Sequence, residues 1–314
     1  MITNLTFIAV ALGLLFLGAE GLVRGSAALA LRAGLSPLLV GLTIVAFGTS
    51  SPELVVSVQA ALDRQGDISV GNVVGSNVFN IGIILGITAV ICPIGVHRQI
   101  IRFDAPLALV VAFILVLLLF NDVLGRVEGA LLFVGIIAYT GFNVVLARRE
   151  SASGTGNDAA FGTGLSRHWG IDAVLILAGL VLLVFGSRLL VENSIALARM
   201  FDVSEAVIGL TIIAAGTSMP ELATSLVAAF RRQPDIAIGN VVGSNIFNVL
   251  GILGVAAVVS PLHAPGISML DYGAMLLFSV LLLPLLYTGR LLHRAEGIIL
   301  LSLYGVYLFL LWPK

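Results

Sequence analysis

Long apolar runs separated by short polar or turn segments dominate the chain. A helix needs about 20 apolar residues to cross a hydrocarbon core of ~30 Å. Breaking the sequence at its charges and turn residues gives about ten runs of this kind: 4–22, 37–61, 69–92, 104–120, 127–147, 171–191, 205–230, 236–258, 269–288 and 295–312. The pattern therefore predicts an all-α integral membrane protein with about ten transmembrane helices.

One segment interrupts this pattern. Residues 148–170 are rich in Gly, Ser, Ala and Asn, which is typical of a flexible linker. We therefore predict an N-terminal five-helix repeat over 1–147 and a C-terminal five-helix repeat over 171–314. The first run has no basic start and no small-residue cleavage pattern, so it indicates an uncleaved first span, not a signal peptide.

The two halves share a duplicated motif. Residues 41–86 and 209–254 align without a gap at an offset of 168 and are identical at 30 of 46 positions. Ser36-Pro37 and Ser204-Glu205 each resemble a helix start just before the motif. Spans 2 and 3 thus correspond to spans 7 and 8. Five spans is an odd number, so the copies should cross the membrane in opposite directions, as inverted repeats with a binding site near the midplane.

Composition and charge refine the membrane assignment. Hydrophobic residues make up 59% of the chain and charged residues 11%, far from a soluble globular protein. The net charge of −1 gives no indication of a nucleic-acid partner; the expected partner is the lipid bilayer. A single cysteine, Cys92, excludes an intrachain disulfide or a multi-thiolate metal site. The sequence does not indicate an oligomeric state.

The distribution of basic residues predicts the orientation. With the N-terminus outside, five of the 16 basic residues lie on the outer side, namely Arg64, Arg126, Arg188, Arg199 and Lys314, and the other eleven lie inside. The positive-inside rule therefore favours outer N- and C-termini and a cytoplasmic linker, in the plasma membrane.

Each motif carries one acid in an apolar run: Glu53 in span 2 and Glu221 in span 7. An ionised side chain at the bilayer centre costs roughly 2.5–3.5 kcal/mol on insertion scales, so such residues usually mark an ion or proton path. A protonated carboxyl in a structural hydrogen bond is the alternative. The symmetric pairing favours the ion path.

Hydroxyls and a proline accompany each acid. Thr49 and Ser50 precede Glu53 by four and three residues and share its helix face. Pro52 crowds the carbonyl of Gly48, so span 2 should break there and free backbone carbonyls beside the acid. The second motif repeats this arrangement with Thr217, Ser218, Glu221, Pro220 and Gly216.

Spans 3 and 8 add a second polar set. Ser76 and Asn80, like Ser244 and Asn248, stand four residues apart on one helix face. The glycines at four-residue spacing predict close helix packing: Gly71, Gly75, Gly239 and Gly243. Four further asparagines are expected to make interhelical hydrogen bonds more readily than to ligate an ion: Asn72, Asn77, Asn240 and Asn245.

This inventory consists of hard oxygen ligands with two carboxylates. Such ligands suit Ca²⁺, which takes 6–8 oxygens, and also Na⁺, whereas soft metals prefer Cys or His. The four histidines fall in loops or at span ends: His97, His168, His263 and His293. We expect transported Ca²⁺ and Na⁺ and no cofactor.

The motifs GTSSPE and GTSMPE, each followed by GNVVGSNxFN, resemble the two repeats of the cation/calcium exchanger superfamily, closest to its prokaryotic Na⁺/Ca²⁺ exchanger branch. The resemblance covers the whole chain and implies a ten-helix antiporter, not an enzyme, with four ion sites between helices 2, 3, 7 and 8. It also implies that helices 1 and 6 slide across the others to alternate access. The implied ion ligands are Ala46 and Ala214 through their carbonyls, and the side chains of Thr49, Ser50, Glu53, Ser76, Asn80, Thr217, Ser218, Glu221, Ser244 and Asn248.

One position departs from part of the superfamily. Several relatives carry Asp where this chain has Asn248, so the site holds only two acids. The difference argues against a potassium co-transporting subtype and makes proton coupling the less favoured alternative. An H⁺/Ca²⁺ antiporter therefore stays open as the second hypothesis. More distant ones are an aspartyl-type intramembrane protease, for which a pair of Asp is missing, and a cation channel or a calcium sensor.

Overall fold

The computed structural model describes residues 2–152, 168–201 and 214–311, and within them the chain is almost entirely helical. We number the helical segments α1 to α12: Ile2–Ala33, Pro37–Thr49, Ser51–Leu62, Gly66–Ile91, Ile100–Asn121, Arg126–Ala152, Trp169–Met200, Ala214–Thr217, Met219–Phe230, Pro234–Val259, Met269–Tyr287 and Arg294–Leu311. Four two-residue strands complete the described part: β1 Ile94–Gly95, β2 Val123–Leu124, β3 Leu262–His263 and β4 Leu291–Leu292.

Eight of these helices are long and apolar enough to cross a membrane: α1, α4, α5, α6, α7, α10, α11 and α12. The bent pair α2 and α3 makes a ninth candidate. The remaining predicted span, the seventh at 205–230, is described only from Ala214 onward, as α8 and α9, and its Ser204-Glu205 start lies outside the described residues. Most of the predicted linker, 153–167, also lies outside them.

The first and sixth predicted spans are longer than the sequence suggested. Spans 4–22 and 171–191 belong to helices of 32 residues each. The apolar pattern stops early because charged side chains follow it, and in α1 those charges are paired. Arg24 pairs with Glu20 one turn earlier, and Nε of Arg32 lies 2.7 Å from a carboxylate oxygen of Asp172 in α7. Paired charges let a helix continue past its apolar stretch.

α1 and α7 cross as an antiparallel pair through glycines. A Cβ on Gly18 would lie 2.8 Å from the carbonyl oxygen of Gly179, and one on Gly25 would lie 2.8 Å from that of Asp172. Only glycine allows backbones this close. The pair packs on one side of the remaining helices, with α1 along α9.

The interior is built around α4 and α10, the two most buried spans. Each contains a π-helical stretch that begins at an asparagine, Asn80–Leu85 in α4 and Asn248–Leu253 in α10. α10 packs tightly against α2 through the predicted glycines, since a Cβ on Gly239 or Gly243 would lie 3.1 Å or 2.7 Å from backbone atoms of Leu42. The glycine spacing in this half is therefore a packing feature.

Two short antiparallel ribbons join the halves at the ends of the bundle. β1 pairs with β4, with Ile94 opposite Leu292, and β2 pairs with β3, with Leu124 opposite Leu262. In each ribbon one strand comes from before the linker and one from after it. The ribbons thus hold loops of opposite halves together.

The crossing of α1 and α7 generates a stability prediction. Replacing Gly18 by Ala places a methyl group against the backbone of α7 and should destabilise the fold by about 1–3 kcal/mol. Gly13 on the same helix has no heavy atom within 4 Å of a built Cβ, so Gly13→Ala is the matched control and should be neutral or slightly stabilising. Thermal unfolding midpoints in detergent measure both. Equal midpoints for the two variants would contradict the close crossing.

Candidate ion-binding site

The two predicted breaks form where the motif acids begin a new helix segment. Between α2 and α3 the backbone leaves the helix at Ser50, which has φ −82° and ψ 9°, and the segments are bent by 47°. Ser218 has almost the same conformation between α8 and α9, with φ −88° and ψ 8°. Pro52 and Pro220 sit in the first turn after each break, where a missing N–H costs nothing. Glu53 and Glu221 follow in that same turn.

The carbonyls beside the breaks are satisfied by hydroxyls. The carbonyl of Gly48 accepts a hydrogen bond from Ser51 Oγ at 2.7 Å, and that of Gly216 accepts one from Ser187 Oγ at 2.5 Å. Both glycine carbonyls are therefore engaged, although the sequence predicted freed carbonyls at this level. The carbonyl of Ala46, the implied ligand, accepts from Thr49 Oγ1 at 3.3 Å and from Ser244 Oγ at 3.5 Å.

The two glutamates lie in the protein interior, each 1% exposed, and each is bound by a serine of the other half. Ser50 Oγ donates to Glu221 Oε1 at 2.8 Å, and Ser218 Oγ donates to Glu53 Oε1 at 3.1 Å. The two contacts are equivalent, because Ser50 corresponds to Ser218 and Glu53 to Glu221 at the repeat offset of 168. The structure thus brings the predicted acids and hydroxyls of both motifs into one site.

The asparagines of α4 and α10 are linked in the same reciprocal way. Asn80 Nδ2 donates to Asn245 Oδ1 at 2.9 Å, and Asn248 Nδ2 donates to Asn77 Oδ1 at 2.9 Å. Asn77 and Asn245 also donate to each other's backbone carbonyls, at 3.2 Å and 3.4 Å. Asn77 and Asn245 therefore make the interhelical hydrogen bonds expected of them, and they orient Asn80 and Asn248.

The other two asparagines fix the acidic helix segments. Asn72 Nδ2 donates to the carbonyl of Glu53 at 3.2 Å, and Asn240 Nδ2 donates to that of Glu221 at 3.3 Å. Thr49 Oγ1 lies 3.0 Å from Asn240 Oδ1, so its single O–H proton is shared between this oxygen and the carbonyl of Ala46. These bonds hold the turn that carries each carboxylate, so the backbone position of the acids depends on α4 and α10.

Several buried oxygens of the site have no hydrogen-bond partner within the described part of the chain. Four of these oxygens form two pairs that correspond between the halves, and each half adds one more. The atoms are Glu53 Oε2, Glu221 Oε2, Asn80 Oδ1, Asn248 Oδ1, Ser76 Oγ and Thr217 Oγ1. A buried oxygen without a partner is costly, about 1–3 kcal/mol or more when charged. Two half-used carboxylates and two amide oxygens form the donor set that a hard cation requires.

The donor set is oxygen alone. No group of three or more His, Cys, Asp or Glu side chains able to hold a metal occurs in the residues that the structure describes. A bound cation would therefore take most of its ligands from neutral oxygens, with Glu53 and Glu221 supplying the charge. The four histidines are exposed at the ends of the bundle, as predicted. Ala214 is the first residue of α8, and of this implied ligand the structure describes the backbone only.

Sequence reasoning missed two serines that support the site. Ser57 Oγ and Ser225 Oγ accept hydrogen bonds from Asn72 Nδ2 and Asn240 Nδ2 at 2.9 Å and 3.0 Å. Both are fully buried and correspond at the repeat offset, one helical turn after the acids. The sequence could have indicated them, because a serine stands at this position in both copies of the motif.

Two buried aspartates were also missed, but they lie outside the site. Asp104 in α5 accepts from Tyr139 Oη at 3.0 Å, and Asp172 pairs with Arg32. Neither has an acidic counterpart at the repeat offset, where Tyr272 and Asn4 stand. Their contacts tie neighbouring helices together.

Fold and site together define the class of protein: a multi-pass membrane protein whose interior contains two buried carboxylates among neutral oxygen donors. The family model described as "Sodium/calcium exchanger protein" matches residues 3–145 and 171–312. The chain therefore belongs to the sodium/calcium exchanger family, whose members are transporters and not enzymes.

Individual relatives cover the whole chain. The protein CaxA of Alkalimonas amylolytica is 38% identical over 321 residues, covering 100% of both chains. The sodium/calcium exchanger MaX1 of Methanosarcina acetivorans is 32% identical over 349 residues, covering 99% of each chain. A solved structure of the sodium-calcium exchanger NCX_Mj, soaked with Na⁺ and Ca²⁺, superposes with a TM-score of 0.85 at 29% identity and covers 100% of both chains. The predicted resemblance is confirmed.

The reciprocal serine contacts generate a binding prediction. Ser50→Ala and Ser218→Ala should each weaken Ca²⁺ binding by about tenfold to a hundredfold, because a hydrogen bond to a charged group contributes roughly 1.5–3 kcal/mol. Ser51→Ala is the matched control, since its hydroxyl bonds the carbonyl of Gly48 and not a carboxylate. Isothermal titration of purified protein measures the affinities. A much larger effect for one of the two site variants would contradict the equivalence of the halves.

Proposed function

We propose that this protein is a secondary antiporter that exchanges Na⁺ for Ca²⁺ across the plasma membrane. The observation that carries the proposal is the pair of buried glutamates, each held by a serine of the opposite half and each retaining one unpartnered oxygen. A site with this symmetry is complete only when both halves contribute. The exchanger names of MaX1 and NCX_Mj support the choice of ions.

Charge balance supports Ca²⁺ as one substrate. The site contains two carboxylates, and Asn80 and Asn248 add neutral oxygens. Asn248 stands at the position where several members of the superfamily carry a third acid. One Ca²⁺ neutralises two ionised glutamates, and Na⁺ ions can do so in its place. Since both ions require the same carboxylates, they compete, and competition for shared ligands at a central site is the basis of antiport.

We propose that the ligand set is the one implied by the superfamily. Glu53 and Glu221 are shared by Ca²⁺ and Na⁺, and their unpartnered Oε2 atoms are the strongest ligands of the set. The neutral ligands are the carbonyls of Ala46 and Ala214 and the side-chain oxygens of Thr49, Ser50, Ser76, Asn80, Thr217, Ser218, Ser244 and Asn248. The hydroxyls of Thr49 and Ser244 make hydrogen bonds within the protein in this structure. Both hydroxyls would turn toward a bound ion.

Alternating access follows from the proposed inverted repeats, 1–147 and 171–314, joined by the linker 148–170. Contacts that exchange partners at an offset of 168 support the proposal that the halves are related by a two-fold axis. Such halves can exchange inward-facing and outward-facing shapes around one central site. We assign the N- and C-termini to the outer side and the linker to the cytoplasm, so that Na⁺ entry drives Ca²⁺ extrusion.

H⁺/Ca²⁺ exchange by the same site is the competing hypothesis. Both acids are buried and could carry protons, but proton-coupled relatives usually place an acid in the second motif where this chain has Asn248. A pH gradient that drives Ca²⁺ flux without Na⁺ would establish this alternative.

Ion flux in reconstituted liposomes tests the proposal. An outward Na⁺ gradient should drive ⁴⁵Ca²⁺ uptake, while K⁺, Li⁺ and pH gradients should not. Glu53→Gln and Glu221→Gln should each reduce uptake at least a hundredfold, because each removes half of the charge that balances Ca²⁺. Gln59→Glu in the exposed last turn of α3 is a control that should transport normally. Full activity of either site variant would overturn the proposal.

Membrane potential separates the stoichiometries. If three Na⁺ exchange for one Ca²⁺, one net charge moves in each cycle, which corresponds to ~2.3 kcal/mol per 100 mV. An inside-negative potential imposed with K⁺ and valinomycin should then change the uptake rate. A 2:1 exchange is electroneutral and would show no such dependence.

A further inference from the structure

An open cavity lies at one end of the bundle, away from the ion site. It has a volume of about 450 Å³ and is lined by residues that begin α5, end α11 and precede α12: Arg98, Ile101, Arg102, Tyr287, Gly289 and Arg290. Three of the six carry a positive charge, and the others supply apolar or aromatic surface. A cluster of this composition has no part in binding Ca²⁺ or Na⁺.

The three arginines have no carboxylate partner in the part of the chain that the structure describes. Within the described ranges no ion pair involves any of them, whereas Arg24, Arg32 and Arg231 all pair with acids. Glu296, the acid nearest in sequence to the last of the three, accepts from Thr288 Oγ1 and from the backbone N–H of His293. Among the residues that the structure describes, no carboxylate therefore neutralises the positive charge of the cavity.

The backbone holds the arginines in place. The N–H of Val96 donates to the carbonyl of Arg290 at 2.9 Å, next to the β1–β4 ribbon. Arg290 has a left-handed conformation with φ 54°. Arg98 follows the ribbon by only a few residues, so the two guanidinium groups are presented from a braced turn.

The position of the cavity matches the membrane boundary. Arg102 lies in the first turn of span α5, and Tyr287 ends span α11 with 76% of its surface exposed. Tyrosine is enriched where hydrocarbon meets headgroups, and basic pockets between helices on the cytoplasmic side bind anionic lipids. Ile101 is half-buried on the apolar side of the cavity, where an acyl chain would lie.

We propose that this cavity binds the phosphodiester headgroup of an anionic phospholipid. Arginine matches phosphate geometry with paired N–H donors, and three guanidinium groups suffice to surround one headgroup. Location and apolar lining favour a lipid over free phosphate, because a free ion gains nothing from Ile101 and Tyr287.

Native mass spectrometry of the purified, detergent-solubilised protein tests this site. Titration with dioleoyl phosphatidylglycerol should show one tightly retained lipid, and phosphatidylcholine should not. Arg98→Gln with Arg290→Asn should weaken phosphatidylglycerol binding by about 30-fold, roughly fivefold for each arginine. Arg102→Gln alone should weaken it about fivefold, which keeps the test usable if the double variant unfolds.

The matched control is Arg126→Gln with Arg64→Asn. Arg126 also begins a helix and Arg64 also has a left-handed conformation, φ 58°, so the control removes the same charge from the same kinds of position. Its phosphatidylglycerol affinity should stay within twofold of the unmodified protein. Equal loss in both double variants, equal retention of phosphatidylcholine, or displacement of the lipid by 20 mM inorganic phosphate would overturn the proposal.

A second inference comes from the ion pair between α1 and the end of α9. Nε of Arg231 lies 3.0 Å from Glu20 Oε2, and a second guanidinium nitrogen contacts Oε1. At the repeat offset Glu20 corresponds to Arg188 in α7, and Arg231 corresponds to Asp63 at the end of α3. The two corresponding positions thus carry the opposite charges, with one residue again in each half.

Only one of the two pairs is closed in this structure. α1 packs along α9, whereas α7 hardly contacts α3. Arg188 and Asp63, both within the described ranges, form no ion pair with each other, and Asp63 accepts instead from Gln59 Nε2 at 3.1 Å. A symmetric site is therefore flanked by an asymmetric pair of contacts.

We infer that Glu20–Arg231 and Arg188–Asp63 close alternately, one in each access state. This inference rests on the proposed antiport, in which the halves exchange shapes. Reversed charges keep each pair selective, because Glu20 is repelled by Asp63 and Arg188 by Arg231.

Cysteine cross-linking in a Cys92→Ala background tests this exchange. E20C/R231C and D63C/R188C are treated with a short bis-maleimide in Na⁺, in Ca²⁺ and in neither ion, with Q59C/D63C on one helix as a control for reactivity. Yields of the two test pairs should change in opposite directions, by at least threefold, while the control stays constant. Parallel changes, or no change under any ion, would overturn the inference. Flux measured before cross-linking reports separately whether the antiport itself fails.

Discussion

Two carboxylates buried in a membrane-spanning interior are the constraint on which this structure depends. An ion moved from water into a low-dielectric medium costs several kcal/mol even after relaxation, and two like charges repel as well. Glu53 and Glu221 offset part of this cost through a serine hydroxyl from the opposite half. The remainder falls on their unpartnered oxygens, which a cation would satisfy.

The surrounding helices are shaped by the same constraint. A regular helix could place a hydroxyl and a carboxylate on one face, but its backbone would run on in one direction past the acid. The breaks at Ser50 and Ser218 interrupt that course, and Asn72 and Asn240 hold the segment that follows each break. The π-helical turns beginning at Asn80 and Asn248 add a further local rotation, a device often found at functional sites. Irregular backbone is tolerated here because protein, not lipid, surrounds it.

Much of this arrangement could be predicted from the sequence because the motif is duplicated. Identity between the copies singled out Glu53 and Glu221, and a proline one residue before each acid predicted the breaks. Partner choice could not be predicted: that Ser50 would bind the distant Glu221, and not Glu53 on its own helix face, depends on how the halves pack. The extent of α1 and α7 was also underestimated, since the pairing of Arg32 with Asp172 joins residues 140 positions apart. Local patterns report local structure, and these features are long-range.

Symmetry is distributed unevenly through the molecule, and this distribution has a physical reason. In the proposed ion site, both halves would offer equivalent ligands to the same ion, and the acids, serines and asparagines are repeated there without change. At the periphery, identical charges would be a disadvantage. A glutamate in both copies could pair only with a basic residue in each case, so the contacts at the two ends of the molecule would be the same. There the copies differ in sign, with Glu20 and Arg24 in α1 replaced by Arg188 and Glu192 in α7. The two copies thus share the buried polar groups of the interior and differ in the charges of the helices that flank them.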